Sequence, residues 1–162
     1  MPIEVDSQIR KSYRGGWTYC NPGYQGKPVK NGIVLDVNSL YPSVLFNKPL
    51  PTGQPVHFNG QYKQDKLYPL YVQRLVCRFT IKDGYFPCLQ LKHTLRFVPT
   101  EYLLHDDGNP VEITLTNVDL KLFMDHYDVE IIEYIDGWKF RASCDIFKTY
   151  IDKWMQVKRD NK

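Results

Sequence analysis

The four cysteines of this 162-residue chain, Cys20, Cys77, Cys88 and Cys144, lie far apart with no C-x-x-C pair. His57, His93, His105 and His126 do not fall at zinc-ligand spacing with them. The pattern points away from structural zinc and towards reduced thiols in a cytosolic protein. Met1-Pro2-Ile3-Glu4-Val5-Asp6 has no charged segment followed by an apolar block, so it does not resemble a signal peptide. No apolar run approaches the length that spans a bilayer, and no internal repeat or low-complexity tract is present. What remains is a globular chain long enough for one domain or two small lobes.

Hydrophobic residues make up 43% and charged residues 24%, which is ordinary for such a chain. Aromatic content is high at 14%, with 12 tyrosines, most of them attributable to packing. The net charge of +3 identifies no partner. Its distribution is more informative. Lys139, Arg141, Lys148, Lys153, Lys158, Arg159 and Lys162 are set against only Asp145, Asp152 and Asp160. Two readings fit that cluster: a solvated helix face, or an edge that meets phosphate.

Taken in order, residues 1–11 are polar and lack apolar periodicity, which predicts a linker or the tail of a preceding element. Ser12 to Tyr19 carries the pair Gly15-Gly16 between aromatics and a basic residue. That is either a bulge or turn between strands, or a bare backbone that another molecule approaches. Asn21 to Asn31 is turn-rich. The apolar run Gly32-Ile33-Val34-Leu35 predicts a strand, and a helix is expected over 39–47. Lys48-Pro49-Leu50-Pro51-Thr52-Gly53-Gln54-Pro55 is the clearest internal boundary, since its prolines stop a helix and start a new unit. Beyond it the pattern is mostly strand: Val56-His57-Phe58, Leu70 to Ile81, Cys88 to Lys92, Val111 to Leu115, and Val129 to Ile135 ended by Asp136-Gly137. A helix is expected from Thr116 or Asn117, with Thr116 and Asp119 placed as in a capping box. Ile146, Phe147, Tyr150, Ile151, Trp154 and Met155 form a broad amphipathic stripe, with Ser143 as its N-cap. The helix runs into Lys158-Arg159-Asp160-Asn161-Lys162 without a stop signal, so the chain is expected to be a truncated piece.

The chemistry concentrates at Asp36-Val37-Asn38-Ser39-Leu40-Tyr41-Pro42-Ser43. An apolar run ending in a carboxylate and then a helix start places an acid beside free backbone N–H groups. A carboxylate holds a divalent cation and a helix N-terminus holds phosphate, so the pair suits a metal-bound triphosphate.

This stretch resembles motif A of family-B DNA polymerases, with six specified positions in eight. Tyr13-Arg14-Gly15-Gly16 resembles the Y-x-G-G element that joins exonuclease domain to palm. Thr116-Asn117-Val118-Asp119-Leu120, His126-Tyr127-Asp128 and Phe147-Lys148-Thr149-Tyr150-Ile151-Asp152-Lys153-Trp154 are similar to the phage polymerases that prime on a terminal protein. The likeness implies an α+β fold: a partial palm of strands and a helix over 1–47, then a mostly antiparallel β insertion with one or two helices over 48–144, the terminal-protein region. A long amphipathic helix that starts the fingers would occupy 145–162. The Pro-rich boundary falls where the insertion would start.

The resemblance also implies roles. Asp36 would be a catalytic Mg²⁺ ligand, assisted by the carbonyl of Val37. Ser39, Leu40 and Tyr41 would meet the nucleotide, with the Tyr41 ring excluding a 2′-hydroxyl. Tyr13, Arg14, Gly15 and Gly16 would hold single-stranded template, using residue types suited to that task. Lys148, Lys153 and Lys158 would contact DNA or triphosphate, or else line a solvated face. Asp119 would meet the terminal protein, or cap its own helix. The partners implied are template and duplex DNA, dNTP and a terminal protein, without a membrane, in the cytoplasm of a bacterial host.

Motif B (K-x-x-x-N-S-x-Y-G), the D-T-D of motif C and the exonuclease acids are absent from these residues. Two-metal phosphoryl transfer needs converging carboxylates. Tyr134-Ile135-Asp136-Gly137 lacks the second aspartate and is expected to be strand and turn. The piece is therefore expected to be inactive alone and to hold Mg²⁺ weakly. The alternative is a non-catalytic module that binds DNA or terminal protein.

Overall fold

The structure, a computed structural model, describes residues 1–90 and 102–161. Its elements in chain order are α1 (Ile3–Arg10), a short 3-10 turn (Pro22–Tyr24), α2 (Leu40–Asn47), β1 (Leu50–Asn59), β2 (Leu70–Ile81), β3 (Val111–Thr116), α3 (Asn117–His126), β4 (Tyr127–Ser143) and α4 (Lys148–Asp160). They divide into two compact units: Met1–Trp17 with Gly53–Arg141, and Thr18–Thr52 with Ala142–Lys162. The fold is α+β, as expected. No described helix is long and apolar enough to cross a membrane.

The first unit is built on a four-stranded sheet in the order β1-β4-β2-β3. β2 runs antiparallel to β3, from Val72 opposite Thr116 to Cys77 opposite Val111. On its other edge it runs antiparallel to β4, from Leu70 opposite Phe140 to Ile81 opposite Tyr127. That register shifts between Arg74 and Leu75 and between Val76 and Cys77, leaving Ile135 and Ile132 of β4 with no opposite residue. Such bulges bend and twist a strand. The carbonyl of Ile135 accepts the Gly60 N–H (2.9 Å).

Strand alternation sorts β2 into two faces. Leu75, Cys77 and Phe79 are buried with Ile113, Leu115, Leu89, Phe123 and Tyr127. Phe79 meets Phe123 and Tyr127 edge-on, with centroids 5.4 and 5.6 Å apart. Burial pushes the Cys77 thiol up to about 12, so it serves as a core hydrophobe. The Tyr127 hydroxyl donates to the Leu103 carbonyl (2.8 Å) and accepts from the Cys88 (3.0 Å) and Leu89 (3.3 Å) N–H groups. Buried polar groups are thereby matched. On the opposite face Arg74 forks onto Asp136 (2.8 and 2.9 Å), and His57 Nε2 lies 3.4 Å from the same carboxylate.

Several local expectations need correction. Residues 3–10 are helical rather than a linker: Glu4 and Asp6 favour the first turn, Asp6 pairs with Arg10 four residues on, and the Gln8 side chain accepts the Trp138 indole N–H (2.8 Å). The Pro-rich stretch enters β1 directly, making it ten residues long rather than three. β1 is an edge strand, where proline is tolerated because one side needs no donor. Asp136-Gly137 does not end a strand. β4 continues to Ser143, held there by Gln73 Nε2 donating to the Asp136 carbonyl (2.8 Å). α4 starts at Lys148, with Phe147 at its N-cap position, whereas the Ser143 hydroxyl accepts only from the Asp145 N–H (3.3 Å).

Residues 32–35 form no strand. Ile33, Val34 and Leu35 are 87%, 97% and 88% exposed, and among the described residues the run has neither a neighbouring strand nor a packed face. Residues 13–20 likewise adopt no regular structure, and among the described residues no strand flanks Gly15-Gly16. Of the strand expected at Cys88 to Lys92, Gln90 forms an isolated bridge with Tyr102, while Leu91 and Lys92 lie outside the described residues.

Two expected outcomes test this account. A Cβ on Gly137 would sit inside contact distance of the Val72 carbonyl and the Phe58 ring. Gly137→Ala is expected to lower stability by about 2–3 kcal/mol in urea denaturation, by forcing β4 off β2. The Arg74 guanidinium, with a smaller contribution from His57, holds the Asp136 carboxyl below its usual range. Stability from this depressed group is complete above about pH 4 and fades as pH falls through the lowered value. The stability gap between the wild type and Asp136→Asn should therefore narrow in acid; a gap constant down to acid pH would refute the linkage.

Candidate functional site

In the second unit α2 begins abruptly. Ser39 at its N-cap position is left-handed (φ 56°, ψ 43°) and makes no side-chain cap. Such a backbone is uncommon outside glycine and carries a strain of about 1 kcal/mol or more. Its carbonyl accepts the Ser43 N–H (2.9 Å). Pro42 has no N–H to satisfy, which leaves Leu40 and Tyr41 as the first-turn donors that the Ser39 side chain does not cap. Asp36 precedes this helix start in chain without regular structure, and it and Val37 are exposed. The Tyr41 ring is 80% exposed. The side chain of Tyr41 is thus available to another molecule.

α4 packs on α2. Of the six-residue stripe expected there, only Ile151 is buried; Tyr150 and Trp154 stay exposed. A cavity of about 270 Å³ lies between the helices, lined among others by Ser39, Pro42, Phe46, Ile151 and Met155. The structure brings two of the expected site residues together: Lys158 Nζ donates to the Ser39 hydroxyl (3.4 Å). Lys148 stands over the Phe46 ring at 5.8 Å and Lys153 over Trp154 at 5.9 Å, both exposed. The unit therefore presents an acid, two uncapped N–H groups and a lysine around one helix start.

Among the described residues no group of three or more His, Cys, Asp or Glu is arranged to hold an ion. Asp36 offers one carboxylate, which does not by itself make a Mg²⁺ site.

The first unit contains the other expected residues. Tyr13 is 68% exposed, and a Cβ on Gly16 would meet nothing within 4 Å. Arg14 turns inward. Its Nη1 donates to the carbonyls of Lys11 (2.8 Å) and Tyr13 (3.1 Å), and Nη2 to that of Thr114 on β3 (3.0 Å). Burial pulls its pKa down from the usual range, opposed by the charge of Asp119. Arg14 and Asp119 both line a cavity of about 320 Å³ whose walls include Trp17, Phe86 and Tyr102.

Thr116 caps α3, and the Asp119 carboxylate steadies that cap. The Asp119 N–H donates to Thr116 Oγ1 (3.1 Å), whose hydroxyl donates back to Asp119 Oδ2 (2.7 Å). Trp17 had no assigned role in the sequence, yet its indole N–H donates to the Pro87 carbonyl (2.9 Å). Only the residue type, an indole next to a glycine pair, hinted at such an anchor.

With this geometry in hand, the chain can be compared with known proteins. The family model described as DNA polymerase type B, organellar and viral, matches residues 1–162. The chain belongs to this family. It is 47% identical over its full length to the DNA polymerase of Bacillus phage B103, covering 28% of that protein. To the DNA polymerase of Bacillus phage phi29 it is 41% identical over 158 residues, which is 98% of this chain and 28% of the relative. Among solved structures, the phi29 DNA polymerase in an orthorhombic crystal form superposes with a TM-score of 0.94, covering 99% of this chain and 28% of that one. A phi29 polymerase complexed with primer-template DNA and incoming nucleotide substrates gives 0.91 at 41% identity. The chain thus spans little more than a quarter of the type B polymerases it matches.

Replacing Thr116 with Ala removes the α3 cap that holds Asp119. Stability should fall by about 1 kcal/mol in urea denaturation, with Asp119→Asn, which keeps the side-chain acceptor, losing less.

Proposed function

We propose that the chain is part of the polymerizing domain of a protein-primed DNA-directed DNA polymerase, with residues 1–47 as the start of the palm, 48–144 as the terminal-protein-region insertion and 145–162 as the start of the fingers. The parent reaction is template-directed nucleotidyl transfer from dNTP to a terminal-protein or DNA primer, in the cytoplasm of a bacterial host. The observation that carries this reading is the helix start at Ser39 to Tyr41, with Asp36 before it and Lys158 on its Ser39 hydroxyl.

Asp36 is the catalytic carboxylate and, with the Val37 carbonyl, supplies protein ligands for Mg²⁺. One carboxylate needs the phosphates of the nucleotide and further ligands to hold that ion. Ser39, Leu40 and Tyr41 receive the nucleotide: their backbone faces its phosphates, and the open Tyr41 ring lies under the sugar, where a 2′-hydroxyl would clash. Lys158 balances phosphate charge, and Lys148 and Lys153 extend the positive face towards DNA. Tyr13, Arg14, Gly15 and Gly16 form the element for single-stranded template, with the exposed Tyr13 ring offering a surface for a base. Asp119 is the acidic point of the insertion that meets the terminal protein, while duplex DNA lies along the same insertion.

With one carboxylate at the site, the 162-residue chain should incorporate no nucleotide on a primed template with Mg²⁺. The assay is gel-resolved primer extension, with Asp36→Ala as comparison. Robust extension that disappears in Asp36→Ala would overturn the expected inactivity. A second reading, a binding module without catalysis, draws on the finding that among the described residues no group of three His, Cys, Asp or Glu is arranged to hold an ion. It calls for salt-dependent DNA binding that Asp36→Ala leaves unchanged.

A further inference from the structure

We infer that Arg14 is a positioning residue: its guanidinium fastens the Tyr13–Gly16 element to the edge of the sheet instead of meeting a phosphate of the template. The inference rests on the reading of Tyr13–Gly16 as a template-strand element and assigns Arg14 a different task within it.

A guanidinium offers five N–H donors. In Arg14 three of them already have acceptors, all backbone carbonyls: Lys11 at the end of α1, Tyr13 within the element, and Thr114 on β3. Its Nε is shielded from solvent and has no acceptor among the described residues. A phosphate-binding arginine presents an open fork, whereas this one is turned towards the protein. Its acceptor on the sheet is also informative. β3 is the edge strand, and an edge carbonyl that finds no further strand must be satisfied otherwise. Arg14 does that for Thr114 and ties α1, the glycine pair and the sheet edge to one planar group.

Trp17 supplies a second fastening three residues on. Its indole N–H donates to the Pro87 carbonyl (2.9 Å), and its ring lies edge-on to Phe86 and Tyr102 at 6.1 and 6.2 Å. The two anchors bracket Gly15-Gly16, where the space around Gly16 is open. The backbone of the pair is thereby held in place at two exposed residues. Lysine cannot replace Arg14 in this role, because one ammonium on a flexible stem does not span three carbonyls in a fixed fork.

The test uses the 162-residue chain and a short fluorescein-labelled oligothymidylate, with affinity measured across a salt series for the wild type, Arg14→Lys, Arg14→Gln and Trp17→Phe. A positioning role predicts that Arg14→Lys and Arg14→Gln weaken binding alike, by about tenfold, the loss of about one hydrogen bond's worth of order. The slope of log K against log salt should stay at the wild-type value. A phosphate contact predicts instead that Arg14→Lys binds like the wild type and that Arg14→Gln lowers the slope by about 0.7; that result overturns the inference. Exchange of the Trp17 indole proton, followed by NMR without DNA, should quicken about tenfold in both Arg14 variants; unchanged exchange also overturns it. If the wild type does not bind the oligonucleotide at low salt, the template reading fails and the exchange result alone decides the clamp. If the Arg14 variants do not fold, Trp17→Phe decides: weaker binding at an unchanged slope supports the clamp, and wild-type affinity overturns it.

Discussion

β2 is hydrogen-bonded along both edges, and the first unit depends on that double pairing. With β3 along Val72–Cys77 on one side and β4 along its whole length on the other, most of its backbone polar groups are matched within the sheet, and the side chains remain to be placed. Alternation then sends Leu75, Cys77 and Phe79 to the core and Arg74 to the charged face. Gln73 shares the inward parity yet is polar. It is accommodated because its amide is fully used: Oε1 accepts the Tyr62 N–H (2.9 Å), and Nε2 donates to the Gly60 (3.0 Å) and Asp136 (2.8 Å) carbonyls. One buried amide therefore joins the loop after β1 to the bulged part of β4. This is also where Gly137 must lack a Cβ. Loop, bulge and glycine are consequences of keeping β2 paired on both sides.

How much of this was legible in the sequence depended on whether the signal was local. β2, β3 and α3 were, because their alternation, their helical spacing and the Thr116–Asp119 cap each lie within a few residues. The full length of β4 was not: Asp136-Gly137 has the composition of a turn, and only its partners across the sheet, Arg74 and Gln73, keep it extended. The proline-rich start of β1 misleads for a related reason, since proline is excluded from a central strand but not from an edge, and position in the sheet is not a local property. Ile33-Val34-Leu35 shows the converse. Strand propensity is present, but a strand exists only in a pair, and propensity without a partner leaves extended chain.

The candidate site divides along the same line. Motif A was legible as residue types at fixed spacing, and the structure adds the left-handed Ser39 and the reach of Lys158, neither of which spacing can convey. Arg14 was legible as a cation beside glycines, but its direction was not. A guanidinium next to a bare backbone suits a phosphate and a carbonyl equally well, and the choice was made by Thr114, one hundred residues away. Trp17 carried no local signal for its acceptor on Pro87.

The two units differ in how completely they satisfy themselves. In the first, most groups that would be costly to bury are matched internally, the shielded Arg14 Nε excepted: the Tyr127 hydroxyl has three partners, Gln73 uses its whole amide, and Arg14 covers an edge carbonyl. In the second, the first-turn donors of α2 lack a side-chain cap, a non-glycine residue sits in a left-handed backbone, and Ile33, Val34, Leu35 and Tyr41 lie open. Strain and unmatched groups persist where another interaction makes use of them. At the start of α2 these are a left-handed Ser39 whose hydroxyl meets Lys158, and an exposed Tyr41 ring. The second unit therefore keeps strain and exposed apolar side chains around the start of α2, whereas the first closes most of its polar groups around β2.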